Sequence, residues 1–157
     1  MKRENSDITI MVVARQAGTA HAFASLIEEF GKTGITVRTY AFLQAHTVFG
    51  SHGIDSLLID RFEDFAGINT QAPSLLLTGT SECAAKDNLF WEWARDRCVP
   101  TLAFVDSCVS YWQRFSDTSK GPQKFNCTPG LIGVIDRFMY DRMIENGCPE
   151  DLLVITG

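Results

Sequence analysis

The sequence predicts an α/β fold: a doubly wound, mainly parallel, Rossmann-like sheet of about seven strands with helices on both faces. Three observations predict it. Short β-rich apolar runs recur along the chain, at Ile8–Val13, Val37–Ala41, Ser56–Ile59, Ser74–Thr78, Thr101–Val105, Leu131–Ile135 and Leu152–Ile155. Most of these runs are apolar on both faces rather than alternating, as strands covered by helices on both sides must be. The segments between several of them carry a helical period, which makes alternating β and α units and a parallel sheet.

Taken in order, the first run leads into a helix in which Ala20, Phe23, Ala24, Ile27 and Phe30 share one face, with Gly31 and Gly34 bracketing its stop. His46 and His52 fall in a second helix and at its exit. Arg61 to Ala72 shows no regular pattern and reads as a loop. Asp87 is placed as the N-cap of a helix to Cys98, with Phe90, Trp93, Ala94 and Cys98 on one stripe and Pro100 ending it. Val109 to Phe115 reads as a further helix capped by Asp106. Ser116 to Gly130 is a second irregular stretch, long enough to be either mobile or functional. Arg137 to Asn146 carries Met139 and Met143 four apart, and Gly147 with Pro149 ends that helix. Trp91, Trp93, Tyr111, Trp112 and Phe115 read as core or interface packing rather than base-stacking groups.

The chain has 157 residues, 45% of them hydrophobic and 21% charged, which suits a single domain over residues 1–157 with a core that needs no metal or disulfide staples. Fourteen basic residues against nineteen acidic ones give a net charge of −5, and the basic residues are scattered, so nucleic acid is not an expected partner. The polar start and the short apolar run after it do not make a signal peptide, and no stretch is long enough for a membrane span. Five cysteines at 83, 98, 108, 127 and 148 show neither a CxxC pair nor a disulfide framework, and read as reduced, mostly buried thiols in a cytoplasmic protein. Three scattered histidines do not make a metal site, and no cofactor is expected.

In a doubly wound sheet, ligands bind beyond the C-terminal ends of the strands where the strand order reverses. The loops expected there give the candidate ligand-binding residues: Arg15, Gln16, Gly18, Thr19 and His21 after the first strand, Thr78, Gly79, Thr80 and Ser81 after the fourth, and Asp106 after the fifth. Small residues let backbone N–H groups approach a ligand, and a helix N-terminus favours an anion. Gly18 reads equally as a tight turn and Thr19 as a helix cap. His21 could serve as a general base or phosphate ligand, and Asp106 could accept a hydrogen bond from a sugar hydroxyl. The absence of GxGxxG and GxxxxGK[ST] disfavours NAD and ATP sites of those kinds. No acidic pair follows the first strand, which argues against a receiver domain, and one hydroxyl in the first loop is too few for a flavodoxin-like phosphate cradle.

The order of elements resembles the N-terminal, acceptor-side half of GT-B glycosyltransferases and of UDP-N-acetylglucosamine 2-epimerases. The resemblance rests on the Gly18 loop, on Thr78-Gly79-Thr80-Ser81 ahead of a helix, and on Ala94-Arg95 to Pro100 entering Thr101 to Asp106. It is completed by the closing run from Ile135-Asp136 through Gly147-Cys148-Pro149 to Leu152 to Gly157. It implies a fragment of a sugar-processing enzyme, or a stand-alone remnant that binds a small polar or sugar-like ligand. Since such enzymes hold the nucleotide-sugar donor mainly on their C-terminal domain, catalysis would need a second domain and this chain alone would be inactive; no catalytic residue is assigned. The alternative is a non-catalytic regulatory or assembly module acting through a homodimer or a protein partner.

Overall fold

The computed structural model describes residues 8–68, 71–81 and 84–157, without the side chains of 84–86. Seven strands, β1 (Thr9–Ala14), β2 (Thr36–Ala41), β3 (Leu57–Leu58), β4 (Leu75–Thr78), β5 (Thr101–Phe104), β6 (Leu131–Val134) and β7 (Leu153–Ile155), alternate with five helices. The helices are α1 (Ala17–Lys32), α2 (Leu43–Ser51), α3 (Phe62–Ile68), α4 (Ala84–Arg95) and α5 (Arg137–Glu145). The strands pair in the order β3-β2-β1-β4-β5-β6-β7, every pair parallel, so the order reverses between β1 and β4. Each strand falls on the apolar run that predicts it.

Successive side chains of a strand point to opposite faces, and β1 divides accordingly. Ile10, Val12 and Ala14 pack with Ala20 and Phe23 of α1 and Phe49 of α2. Met11 and Val13 pack on the opposite face with Phe65 of α3 and Phe90 and Trp93 of α4. A third cluster joins β5 and β6 to Trp91, Met139 and Met143. On the α1 side, Leu75, Leu102 and Phe104 line an apolar groove of about 360 Å³ beside Leu26 and Phe30, so that face is less completely covered than the other.

Several expectations change. The stretch Arg61 to Ala72 contains α3, whose Phe62 and Phe65 meet Phe90 at ring-centroid distances of 5.2 and 5.0 Å. The expected helix over Val109 to Phe115 is reduced to a single 3₁₀ turn at Gln113–Phe115, because Ser110 sits at φ 56°, in the left-handed region that a right-handed helix cannot include. Asp106 therefore caps no helix. Asp87 lies inside the first turn of α4 rather than at its N-cap. The long connection before β6 is tied by Asn126, which accepts from the Asp117 N–H at 2.7 Å and donates to the carbonyls of Asp117 and Gly121.

Helix α5 ends as its residues dictate. Asp136 accepts from the Met139 N–H at its start, and Gly147 at φ 93° lets the N–H groups of Gly147 and Cys148 return to the carbonyls of Ile144 and Met143. Among the described residues, no helix is long and apolar enough to cross a membrane.

Cys127 and Cys148 are buried, as expected of thiols in a core, whereas Cys98 and Cys108 are exposed; Cys83 lies outside the described residues. Cys98 falls past the end of α4 at φ 54° instead of on its apolar stripe. Burial, with a smaller contribution from Asp151, pushes the Cys148 thiol up to about 12. At neutral pH a maleimide should therefore modify Cys98 and Cys108 rapidly and leave Cys148 unmodified in the native protein, as read by peptide mass spectrometry. Phe65 has no exposed surface and meets Tyr40, Phe90 and Trp93, each at 5.0 Å. Phe65→Ala should cost about 3–5 kcal/mol in denaturant unfolding, and a cost below about 1 kcal/mol would contradict this packing.

Candidate functional site

Strands β1 and β4 both end at the reversal of strand order, and the residues that follow them converge. Arg15 and Gln16 come from the end of β1, Thr19 from the first turn of α1, and Thr78 to Ser81 from the end of β4 and its loop. With Val13, Phe42, Asp87 and Phe90 they line a cavity of about 10 Å³, room for about one water. The expected meeting of the two loops is thus present, in a closed form.

Most hydroxyls of the loops are engaged within the protein. Thr78 accepts from Trp91 Nε1 at 3.0 Å. Thr80 accepts from Arg114 Nη1 at 2.9 Å. Thr19 donates to Asp106 Oδ2 at 3.1 Å, so it ties α1 to the loop after β5 instead of capping its own helix. Gly79 has a packing reason as well: a Cβ there would stand 2.4 Å from Thr19 Cγ2. A Cβ on Gly18 would meet Asp106 Oδ2 at 3.0 Å. These small residues let α1 and two strand ends approach one another.

Two groups keep free hydrogen-bonding capacity. Arg15 Nε and Ser81 Oγ are buried and have no hydrogen-bond partner among the described residues. The Arg15 guanidinium lies over the Phe42 ring, 3.6 Å from its centroid, with Nε 3.7 Å from Asp87 Oδ1. Burial lowers the Arg15 pKa from its ordinary value and the nearby Asp87 opposes that shift, so the guanidinium stays charged. Asp87, 6% exposed, accepts from the Ser81 N–H at 2.5 Å. Its carboxyl is raised above the usual range by burial, against the pull of Ser81 and Arg15.

Of the remaining expected site residues, His21 is exposed and faces His52 across 3.2 Å between ring nitrogens, outside the cavity lining. Asp106 and Gly18 lie behind the cavity, as supports. Sequence reasoning missed Phe42 and Asp87 as lining and Arg114 as the support. Phe42 follows the end of β2 as Arg15 follows that of β1, a positional signal that could have found it. Arg114 is a lone cation inside an aromatic run, and it is 2% exposed. It donates to the Thr80 carbonyl at 2.9 Å, the Val109 carbonyl at 3.1 Å and Ser107 Oγ at 2.5 Å, with Asp106 Oδ1 at 3.8 Å.

Arg114→Ala should cost about 3–5 kcal/mol by leaving buried acceptors unpaired, and Arg114→Lys should recover little because an ammonium lacks the planar fork; chemical denaturation of both variants checks this. Asp87 titrates higher folded than unfolded, so its contribution to stability is fully present below about pH 4 and is lost as pH rises through its folded value. The stability of the native chain relative to Asp87→Asn should accordingly fall as pH rises from about 4 through that folded value. Urea curves that keep a constant separation over that range would contradict it.

No family model matches this sequence, and no curated protein sequence matches it. Solved structures do. The chain is similar to a putative UDP-N-acetylglucosamine 2-epimerase from Listeria monocytogenes, with TM-score 0.65 and 12% identity over 97% of this chain and 45% of that one. It is similar to the glycotransferase of kitacinnamycin, with TM-score 0.65 and 12% identity over 95% of this chain and 51% of that one. A UDP-GlcNAc 2-epimerase from Neisseria meningitidis, bound to UDP-GlcNAc, matches with TM-score 0.59 and 14% identity over 96% of this chain and 47% of that one. The chain spans about half the length of these neighbours. Its Rossmann-like, all-parallel α/β fold is shared with about half of each of these neighbours.

Proposed function

We propose that the chain is the N-terminal, acceptor-side half of a sugar-processing enzyme of the GT-B kind, and that the β1/β4 crevice receives a small polar, sugar-like part of the substrate. One observation carries the reading. At the reversal of strand order, the Nε of the half-buried Arg15 and the hydroxyl of the buried Ser81 are both out of water beside one cavity, with no hydrogen-bond partner among the described residues. Buried polar groups without partners are rare in folded proteins, and a cleft where they gather is where a ligand supplies the missing bonds. The fold alone would not support it, since one fold hosts many activities; the neighbours' sugar-nucleotide chemistry sets the ligand class to be tried.

Arg15 would hold the ligand through Nε and Ser81 through its hydroxyl, while Thr78, Gly79, Thr80, Thr19 and Asp106 keep the loops in place. Val13, Phe42 and Phe90 would wall the space that a hydroxyl of the ligand enters. Chemistry on a nucleotide-sugar donor would come from a second domain, so the half alone would bind and not turn over. Exposed reduced thiols at Cys98 and Cys108 fit a reducing, cytoplasmic setting.

A thermal-melt screen of nucleotide sugars, sugar phosphates and neutral sugars tests the reading. A ligand of the crevice at a hundredfold excess over its Kd stabilises the chain by about 2.7 kcal/mol. That melting shift should disappear in Arg15→Met. A shift that persists in the variant would place the ligand elsewhere, and no shift from any compound would end the reading.

A further inference from the structure

The crevice already contains an anion of its own. The end of a strand followed by a helix is suited to bind a negative group through backbone N–H donors and a nearby cation. Here one chain carboxyl faces both: Asp87 Oδ2 accepts the Ser81 N–H at 2.5 Å, and Asp87 Oδ1 lies 3.7 Å from Arg15 Nε, an ion pair beyond hydrogen-bond reach that leaves the Nε–H free to donate. Asp87 belongs to α4, is 6% exposed, and lines the same cavity. A phosphate or carboxylate entering the crevice would meet a buried like charge that faces its natural donors. What remains open is the Arg15 Nε–H and the Ser81 hydroxyl, the latter 7% exposed and without a hydrogen-bond partner among the described residues, beside a hydroxyl-sized space walled by Val13, Phe42 and Phe90.

We propose that Asp87 sets the specificity of the crevice: its carboxylate occupies the position of an anionic group, so the crevice takes a neutral, hydroxyl-bearing moiety and excludes phosphate, and removing that charge converts it into an anion site. This inference rests on the crevice being a ligand site, and it names the part of the substrate that enters. The hydroxyl of a neutral sugar donates to Asp87 or accepts from Ser81 Oγ and Arg15 Nε, whereas a phosphate must displace Asp87 from the Ser81 N–H and leave it buried and unpaired. Specificity built from a repelling charge is an ordinary device of binding sites.

The experiment uses the full chain and follows backbone amide NMR shifts of residues 13–19 and 78–81 during titration with N-acetylglucosamine and, separately, inorganic phosphate. In the native protein the neutral sugar should move these resonances and phosphate should not. In Asp87→Asn, phosphate should bind at least about tenfold more tightly than in the native chain. Ser81→Ala, which leaves the charges in place, should weaken the sugar and still exclude phosphate. Phosphate binding the native chain as tightly as Asp87→Asn would overturn the proposal while leaving the crevice a ligand site. If neither probe moves the resonances in the native chain or in Asp87→Asn, the ligand site itself fails and this inference with it. Should Asp87→Asn not fold, the native chain and Ser81→Ala decide: phosphate perturbing the crevice as tightly as the sugar overturns the proposal, and sugar binding with phosphate excluded upholds it.

Discussion

A guanidinium almost wholly out of water has to find acceptors for its donors, and Arg114 finds them on two neighbouring strand ends. By bonding Thr80 after β4 and Ser107 after β5, with Asp106 close by, it holds the two loops at a fixed separation. Asp106 then passes the constraint to α1 through Thr19. The position of the first turn of α1 relative to β4, and so the shape of the crevice, follows from one buried cation. Because buried charge without a partner is strongly destabilising, the arrangement has few alternatives of comparable energy, and the loops at the strand ends inherit rigidity that loops of their composition would otherwise lack.

The sheet was legible because parallel strands covered on both faces need continuous apolar runs, and each of the seven runs became a strand. Helix α1 was legible from five residues on one face. The rest failed for identifiable reasons. Helix α3 is one short unit whose pattern is little more than Phe62, Phe65 and Ala66, too few turns for a period to stand out. Ser110 gives no compositional warning of a left-handed backbone, so the helix expected over Val109 to Phe115 did not form and the capping role given to Asp106 went with it. Asp87 has the chemistry of an N-cap and stands one turn too late to be one. Long-range partners decide the roles of Arg114 and Thr19, and a partner 34 residues away, as Thr80 is from Arg114, or 87 away, as Asp106 is from Thr19, leaves no local trace.

The site was therefore half legible. Strand order placed the crevice between the ends of β1 and β4, and Arg15 and Ser81 were among the residues expected there. Which of those residues still had bonding capacity could not be read from composition, because a threonine that closes a turn, one that supports a tryptophan and one that awaits a ligand are the same letter. Only the hydrogen-bond account separates the Thr78 hydroxyl, committed to Trp91, from the Ser81 hydroxyl, which has no hydrogen-bond partner among the described residues.

The contact between Gly79 and Thr19 has a consequence for how the sequence can drift. Any side chain at 79 would need the volume that the Thr19 methyl now fills, yet the Thr19 hydroxyl is the group that Asp106 holds. Neither position can change first without loss: enlarging 79 alone collides with the helix, and shrinking 19 alone releases Asp106 and opens a void. The two positions, sixty residues apart, therefore evolve as a pair, and among descendants of this chain the glycine will persist for as long as the threonine does, whatever ligand the crevice comes to accept.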